Sequence, residues 1–140
     1  THLQPVLDTI AAMKELHIWI EVTTLVVPGE NDSDGELRRI ADFLAGIDRD
    51  IPWHISRFHP DYEFRGRDAT PLETLQRARE IGRQAGLRFI YLGNVHEGSH
   101  TSCPACRASV VERKIMGLGA LHLKDGRCPS CGTAVPGIWS

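Results

Sequence analysis

Apolar residues recur at helical spacing from the start of the chain. Leu3, Val6, Leu7, Ile10, Met13 and Leu16 fall on one face and predict an opening helix. The period then changes: His17 to Val27 (HIWIEVTTLVV) is rich in β-branched and aromatic residues and stops at Pro28-Gly29, which predicts a strand. Ser33 followed three residues later by Glu36 has the form of a capping box, and Leu37, Ile40, Ala41, Leu44 and Ile47 supply the apolar stripe of a helix ending near Asp48. Ile51 to Phe58 (IPWHISRF) predicts a second strand, stopped by His59-Pro60. A polar loop with Arg65, Gly66 and Arg67 follows, a segment suited to an active site or lid. Thr70-Pro71-Leu72-Glu73 repeats the helix-start signal, with Thr70 as N-cap, Pro71 at the first helical position and Glu73 two residues on. Leu75, Ala78, Gly82 and Ala85 line that helix, Gly86 fits a left-handed C-cap, and Leu87 to Leu92 (LRFIYL) predicts a third strand leaving through Gly93-Asn94.

Strand and helix alternate throughout, which implies an α/β fold of about three βα units with parallel strands and right-handed crossovers. Three strands cannot close a barrel. An isolated sheet of this kind would have two unpaired edges and one poorly covered face, so more chain or a partner is expected to complete it. The first residue is Thr1, with helical periodicity already under way, which reads as a cut inside a longer protein.

With 140 residues and a formal net charge of -2, composition points to a soluble globular protein. No stretch approaches the roughly 20 apolar residues of a membrane helix, and no signal peptide opens the chain. A cytoplasmic location with no membrane partner is the expectation. In that reducing compartment the four cysteines read as metal ligands rather than two disulfides.

Those cysteines form two CxxC pairs, Cys103-Pro-Ala-Cys106 and Cys128-Pro-Ser-Cys131-Gly132, separated by residues 107–127. Two such knuckles bring four thiolates to one point, the donor set of a tetrahedral Cys₄ ion. A structural zinc ribbon is the leading reading, because the set is complete and leaves no open position. Rubredoxin-like iron suits the same geometry, and an auxiliary iron-sulfur cluster or a thiol redox pair remain as alternatives. His100 could supply a ligand only by displacing a thiolate. Val110, Val111, Leu121 and Leu123 are expected to form the strands of this module, with Ile138 and Trp139 as its apolar lid. About 40 residues so used leave roughly 95 for one modest core, and the metal should carry much of the tail's folding free energy. The expected division is 1–98 and 99–140.

In α/β folds ligands meet the carboxyl ends of the strands. Alternation puts Trp19, Glu21 and Thr23 on one face of the first strand, and Trp53, Ile55, Arg57 and His59 on one face of the second. Glu21 and Arg57 are therefore expected to pair in one interior, as ligand-binding groups or as a structural ion pair, with Thr23 and His59 nearer a ligand and His54 toward the packed helices. Neither GxxxxGK[ST], GxGxxG nor GxSxG occurs. Arg107, Arg113, Lys114, Lys124 and Arg127 make only a small cluster in a slightly acidic chain, which argues against a nucleic-acid partner.

Ile18-Trp19-Ile20-Glu21-Val22-Thr23-Thr24-Leu25-Val26-Val27-Pro28-Gly29, then Asn31-Asp32, then Pro52-Trp53-His54-Ile55-Ser56-Arg57-Phe58-His59-Pro60-Asp61-Tyr62 resemble the AmmeMemoRadiSam-system radical SAM proteins, relatives of pyruvate formate-lyase activating enzyme. Thr70-Pro71, Gly93-Asn94, both cysteine knuckles and Pro136-Gly137-Ile138-Trp139 extend the resemblance over essentially the whole chain. It implies the C-terminal half of a radical SAM partial (β/α)6 barrel followed by a small zinc-ribbon-like module. It also implies a parent enzyme in which a 4Fe-4S cluster reduces S-adenosylmethionine to a 5'-deoxyadenosyl radical that attacks a substrate of unknown kind, a protein among the possibilities. In the resemblance His59 falls where a histidine contacts the adenosyl moiety, and Thr23 falls near the place of an arginine directed to the cofactor, a role Arg57 could take instead. Glu21, Thr23, Arg57 and His59 are accordingly the cofactor-binding candidates. The family's CxxxCxxC cluster loop does not occur in these residues, so the implied partner is the missing N-terminal half of the barrel, and the chain alone is expected to be inactive. A stand-alone zinc-ribbon module that binds protein or nucleic acid is the alternative.

Overall fold

The computed structural model describes residues 3–61, 66, 68–96, 98–114 and 117–139. Arg65 and Arg67 of the polar loop, and Tyr62 before it, lie outside them. The first helix, α1 (Gln4–Glu15), has no buried residue, and Leu3, Val6 and Leu16 are 68%, 48% and 72% exposed. A helix of 12 residues is marginal alone, and what ties it down is Ile10 against the main core and a 2.7 Å ion pair between Lys14 and Asp48. Burial would raise the Asp48 carboxyl, yet the Lys14 ammonium and the Asp50 N–H hold it below its ordinary 3.8.

β1 (Val22–Val26) starts later than the apolar run predicts. His17 takes a positive φ of 58° directly after the helix, so the chain must turn before it can extend. α2 (Asp34–Ile47) begins at the expected cap: the Glu36 N–H donates to Ser33 Oγ, and the Ser33 hydroxyl donates to the Glu36 carboxylate at 2.7 Å. Asp34 and Glu36 in the first turn face the positive end of the helix dipole. β2 (Trp53–Arg57), α3 (Leu72–Ala85) and β3 (Ile90–Gly93) complete this part. β1, β2 and β3 pair in parallel and in chain order, with Val22 opposite Trp53 and Trp53 opposite Ile90.

Trp53 decides which face of the sheet the helices cover. It is 0% exposed, and its indole N–H donates to Thr24 at 2.9 Å, so both lie on the side packed against Leu37, Leu44, Leu75 and Ala78. A Cβ on Gly82 would stand 2.9 Å from the Trp53 ring, so glycine is what lets α3 approach this closely. Gly86, with φ of 102°, ends α3 as predicted.

Alternation then turns Thr23, Leu25, His54 and Ser56 to the opposite face, where Leu25 is 48% exposed. His54 therefore does not face the helices. Neighbouring apolar residues settled its side, since Trp53 and Ile55 are each 0% exposed and claim the core.

Thr70 is not the N-cap of α3. Pro71 holds that position without a side-chain hydrogen bond, and the Thr70 hydroxyl, fully buried, accepts from the Phe58 N–H at 3.0 Å while donating to the Val26 carbonyl at 2.6 Å. It stitches together the carboxyl ends of β1 and β2, where the ladder itself has ended.

The tail folds as an antiparallel sheet of β4 (Thr101–Ser102), β5 (Ser109–Arg113) and β6 (Leu118–Leu121), with Val111 opposite both Thr101 and Leu121. Val110 and Val111 point inward as expected. Leu121 is 51% exposed, and Leu123 falls beyond β6, though it still packs on the cluster. The expected lid is partial: Trp139 covers Gly126 and Gly137 and donates its indole N–H to Val135, whereas Ile138 is 74% exposed.

Phe89 and Tyr91, both from the α/β part, belong to the same buried cluster as Cys103, Val110, Val111, Cys128 and Val135. The tail is thus seated on β3. Among the described residues no helix is long and apolar enough to cross a membrane.

Candidate metal centre and the open sheet face

Each knuckle closes on itself four residues after its first cysteine. The Arg107 N–H donates to the Cys103 carbonyl at 3.0 Å, and the Gly132 N–H donates to the Cys128 carbonyl at 2.9 Å. Both closing residues take positive φ, 62° at Arg107 and 74° at Gly132. Glycine does this freely, while arginine at the same place carries backbone strain.

The two turns bring all four sulfurs within 4.8 Å of one another. Cys103 and Cys131 are 3.6 Å apart, as are Cys106 and Cys128. Sulfurs bound tetrahedrally at a Zn–S distance of about 2.3 Å stand about 3.8 Å apart, so this spacing is that of a common ion rather than of disulfides, and all four cysteines are free. Cys103 and Cys128 are buried; Cys106 and Cys131 face outward.

Charge at the site argues the same way. The Thr133 hydroxyl, 3.2 Å from Cys131, and the Thr133 N–H draw that thiol down to about 6. Burial opposes ionisation of Cys128, but the N–H groups of Ser130 and Cys131 prevail and lower it. Cys106 is pushed up to about 12: the Ala108 N–H pulls it down, and hydrogen bonds with the other three thiols outweigh that pull. Four thiols this close cannot all ionise unaided, and a divalent cation removes the conflict. The residues therefore fit a tetrahedral zinc or iron ion with a complete sulfur set. His100 takes no part, since its Nδ1 accepts the Arg113 N–H at 3.0 Å.

On the sheet, the expected Glu21–Arg57 pair does not form. Glu21 meets the His54 Nε2 at 2.6 Å and accepts the Trp19 indole N–H at 3.3 Å, whereas Arg57 donates from Nε to the Thr70 carbonyl at 2.7 Å. Arg57 shares the face of Trp53 and Ile55 and ends on the stitched side of the sheet; Glu21 lies ahead of β1, beside the open face. Thr23 is exposed opposite His54 in the register, and His59 is exposed just past β2. Glu21 and Thr23 thus lie near His54 on the open side, while Arg57 and His59 lie apart from them.

A cluster that sequence reasoning passed over lies between them. The His54 and Tyr91 rings are 5.0 Å apart, and the Arg113 guanidinium sits 5.1 Å from the centre of the Tyr91 ring. Tyr91 OH and Arg113 Nη1 both reach the Thr101 hydroxyl, at 2.9 and 2.8 Å. Burial pushes the Tyr91 phenol above its ordinary 10.0 against the pull of Thr101 and Arg113. For His54 the signal was available, since Trp53 and Ile55 on either side exclude it from the core. Arg113 had none, because only the docking of the tail brings it to β3.

No family model matches the chain. The chain is similar to the uncharacterized protein MJ0808 of Methanocaldococcus jannaschii, 43% identical over 138 residues, a match that covers 95% of this chain and 41% of that protein. The chain spans about two fifths of the length of the relative it matches.

Proposed function

We propose that this chain is the C-terminal half of a radical SAM partial (β/α)6 barrel carrying a structural Cys₄ zinc ribbon, and that the longer protein acts on its substrate through a 5'-deoxyadenosyl radical. One observation carries the reading: a parallel sheet in chain order, covered by helices on one face and, over β1 and β2, open on the other, where Thr23, His54 and Ser56 lie with Glu21 beside them, while the tail covers that face at β3. In a barrel that open face is the interior, and the outer edge of β1 is where further strands would join. The resemblance to radical SAM proteins supplies the chemistry, which a 4Fe-4S cluster held by residues outside this chain would provide. Thr23 would then face the cofactor from the open face, and His59 would reach it from beyond the carboxyl end of β2. Arg57 holds the strand ends through Thr70, and Glu21 orients His54. Zinc suits the tail better than a redox role, because the thiolate set is closed and its first and third cysteines are buried. Seating of the tail on Phe89 and Tyr91 favours this over a stand-alone ribbon, whose core would not borrow residues from a sheet.

Anaerobic reconstitution with iron, sulfide and a low-potential reductant tests the reading. The longer polypeptide is expected to release 5'-deoxyadenosine from S-adenosylmethionine, and these 140 residues alone none. A reconstituted longer protein that releases none would sink the radical proposal.

A further inference from the structure

Where the docked tail meets β3 lies a cavity of about 230 Å³, lined by His54, Tyr91, Asn94, Ser99, Arg113 and Lys114 among others. Its charge is unlike that of the chain. The protein has a net charge of -2, yet Arg113 and Lys114 enter this cavity together, His96 joins His54 on its wall, and the described lining residues include no carboxylate. Glu21 sits on the other side of His54, in a neighbouring cavity. Glu97 lies outside the described residues.

Arg113 and Lys114 are exposed, but Arg113 is held in place by hydrogen bonds. Its backbone N–H is taken by His100, its Nη1 donates to the Ser99 carbonyl and the Thr101 hydroxyl, both at 2.8 Å, and its guanidinium stacks on Tyr91. The side-chain hydrogen bonds shown leave from Nη1, one corner of a five-donor fork suited to two oxygens of one anion. Asn94 is fixed as well, donating to the Arg57 carbonyl at 3.1 Å from a left-handed backbone with φ of 59°.

We infer that this cavity is a binding site for a small carboxylate- or phosphate-bearing ligand, shared between the sheet, which contributes His54, Tyr91 and Asn94, and the metal-binding tail, which contributes Arg113 and Lys114. The site stands on the cavity and its charges, apart from the radical reading. It also gives the tail's metal an indirect part in binding: the ion folds the module that places the two cations.

Titration of the zinc-loaded chain with inorganic phosphate and, separately, with malonate tests it, read by amide chemical shifts at fixed ionic strength. Saturable shifts are expected in residues 93–99 and at Arg113 and Lys114, with the stronger of the two anions naming the ligand class. Arg113→Gln should weaken binding roughly tenfold or more. Because that change also removes contacts to Ser99 and Thr101, Lys114→Gln is the companion variant, expected to weaken binding severalfold in a chain whose spectrum is otherwise unaltered. Chelating the metal should abolish saturation. Absence of saturable binding for both anions, or affinity unchanged in Lys114→Gln and in a folded Arg113→Gln, would overturn the inference.

Discussion

Thr70 is the residue whose sequence context and structural role part most sharply. A threonine before Pro-Leu-Glu has every local mark of an N-cap, yet its hydroxyl is spent on Val26, at the end of β1, and on Phe58, just past β2. The two roles make opposite forecasts. Aspartate caps helices as well as threonine does, so a capping Thr70 would tolerate Thr70→Asp. A buried stitch would not, because a carboxylate cannot donate to the Val26 carbonyl and cannot be buried unpaired. We expect Thr70→Asp to lose about 2 kcal/mol or more and Thr70→Ser less than about 1 kcal/mol, as measured by denaturant unfolding. Equal stability of Thr70→Asp and the parent chain would restore the capping role.

Among the elements, α3 owes its position to a missing side chain. Alanine is normally favoured over glycine inside a helix by about 0.5–1 kcal/mol. At Gly82 a Cβ would meet Ile90 Cδ1 at 2.7 Å and the Trp53 ring at 2.9 Å, and the Trp53 ring is rigid and fully buried. Gly82→Ala is therefore expected to destabilise by about 1–3 kcal/mol through overpacking, and a raised melting temperature would contradict the packing described. The helices and strands were legible for a related reason. Their apolar stripes, the Ser33 cap and the Gly86 stop are each set by residues within a turn or two, and they appear where the pattern puts them. Which face of β2 meets the helices is not legible in the same way, because alternation alone sorts residues into two faces without saying which is buried. In the structure Trp53 and Ile55 take the helix side and leave His54 to the open one.

For the whole molecule the seating of the tail on β3 matters most, since Phe89 and Tyr91, which the α/β part contributes, are buried in the core of the tail. Loss of the metal should therefore be felt beyond the ribbon. We expect one zinc or iron per chain by elemental analysis. Chelation, or Cys128→Ser, should unfold residues 99–139 and loosen Tyr91, read as lost near-ultraviolet dichroism and faster amide exchange in β3. Structural zinc sites contribute about 10–16 kcal/mol of binding free energy in small modules, so the remaining contacts should not compensate. Protons compete with the ion for the thiolates, so retention should fall as pH falls. A metal-free chain with unchanged exchange in residues 99–139 would refute a folding role for the ion.

The amino-acid sequence by itself determined the alternation of helices and strands and the four-cysteine donor set, because periodicity, caps and CxxC spacing act over a few residues and hardly depend on what packs against them. Tertiary structure alone decided that Glu21 meets His54, that Arg57 and Thr70 close the strand ends, and that Arg113 comes to rest over Tyr91. Each of these joins residues far apart in the chain, and their partners were fixed by competition for the buried face of one sheet and by where the four-cysteine tail comes to rest against β3.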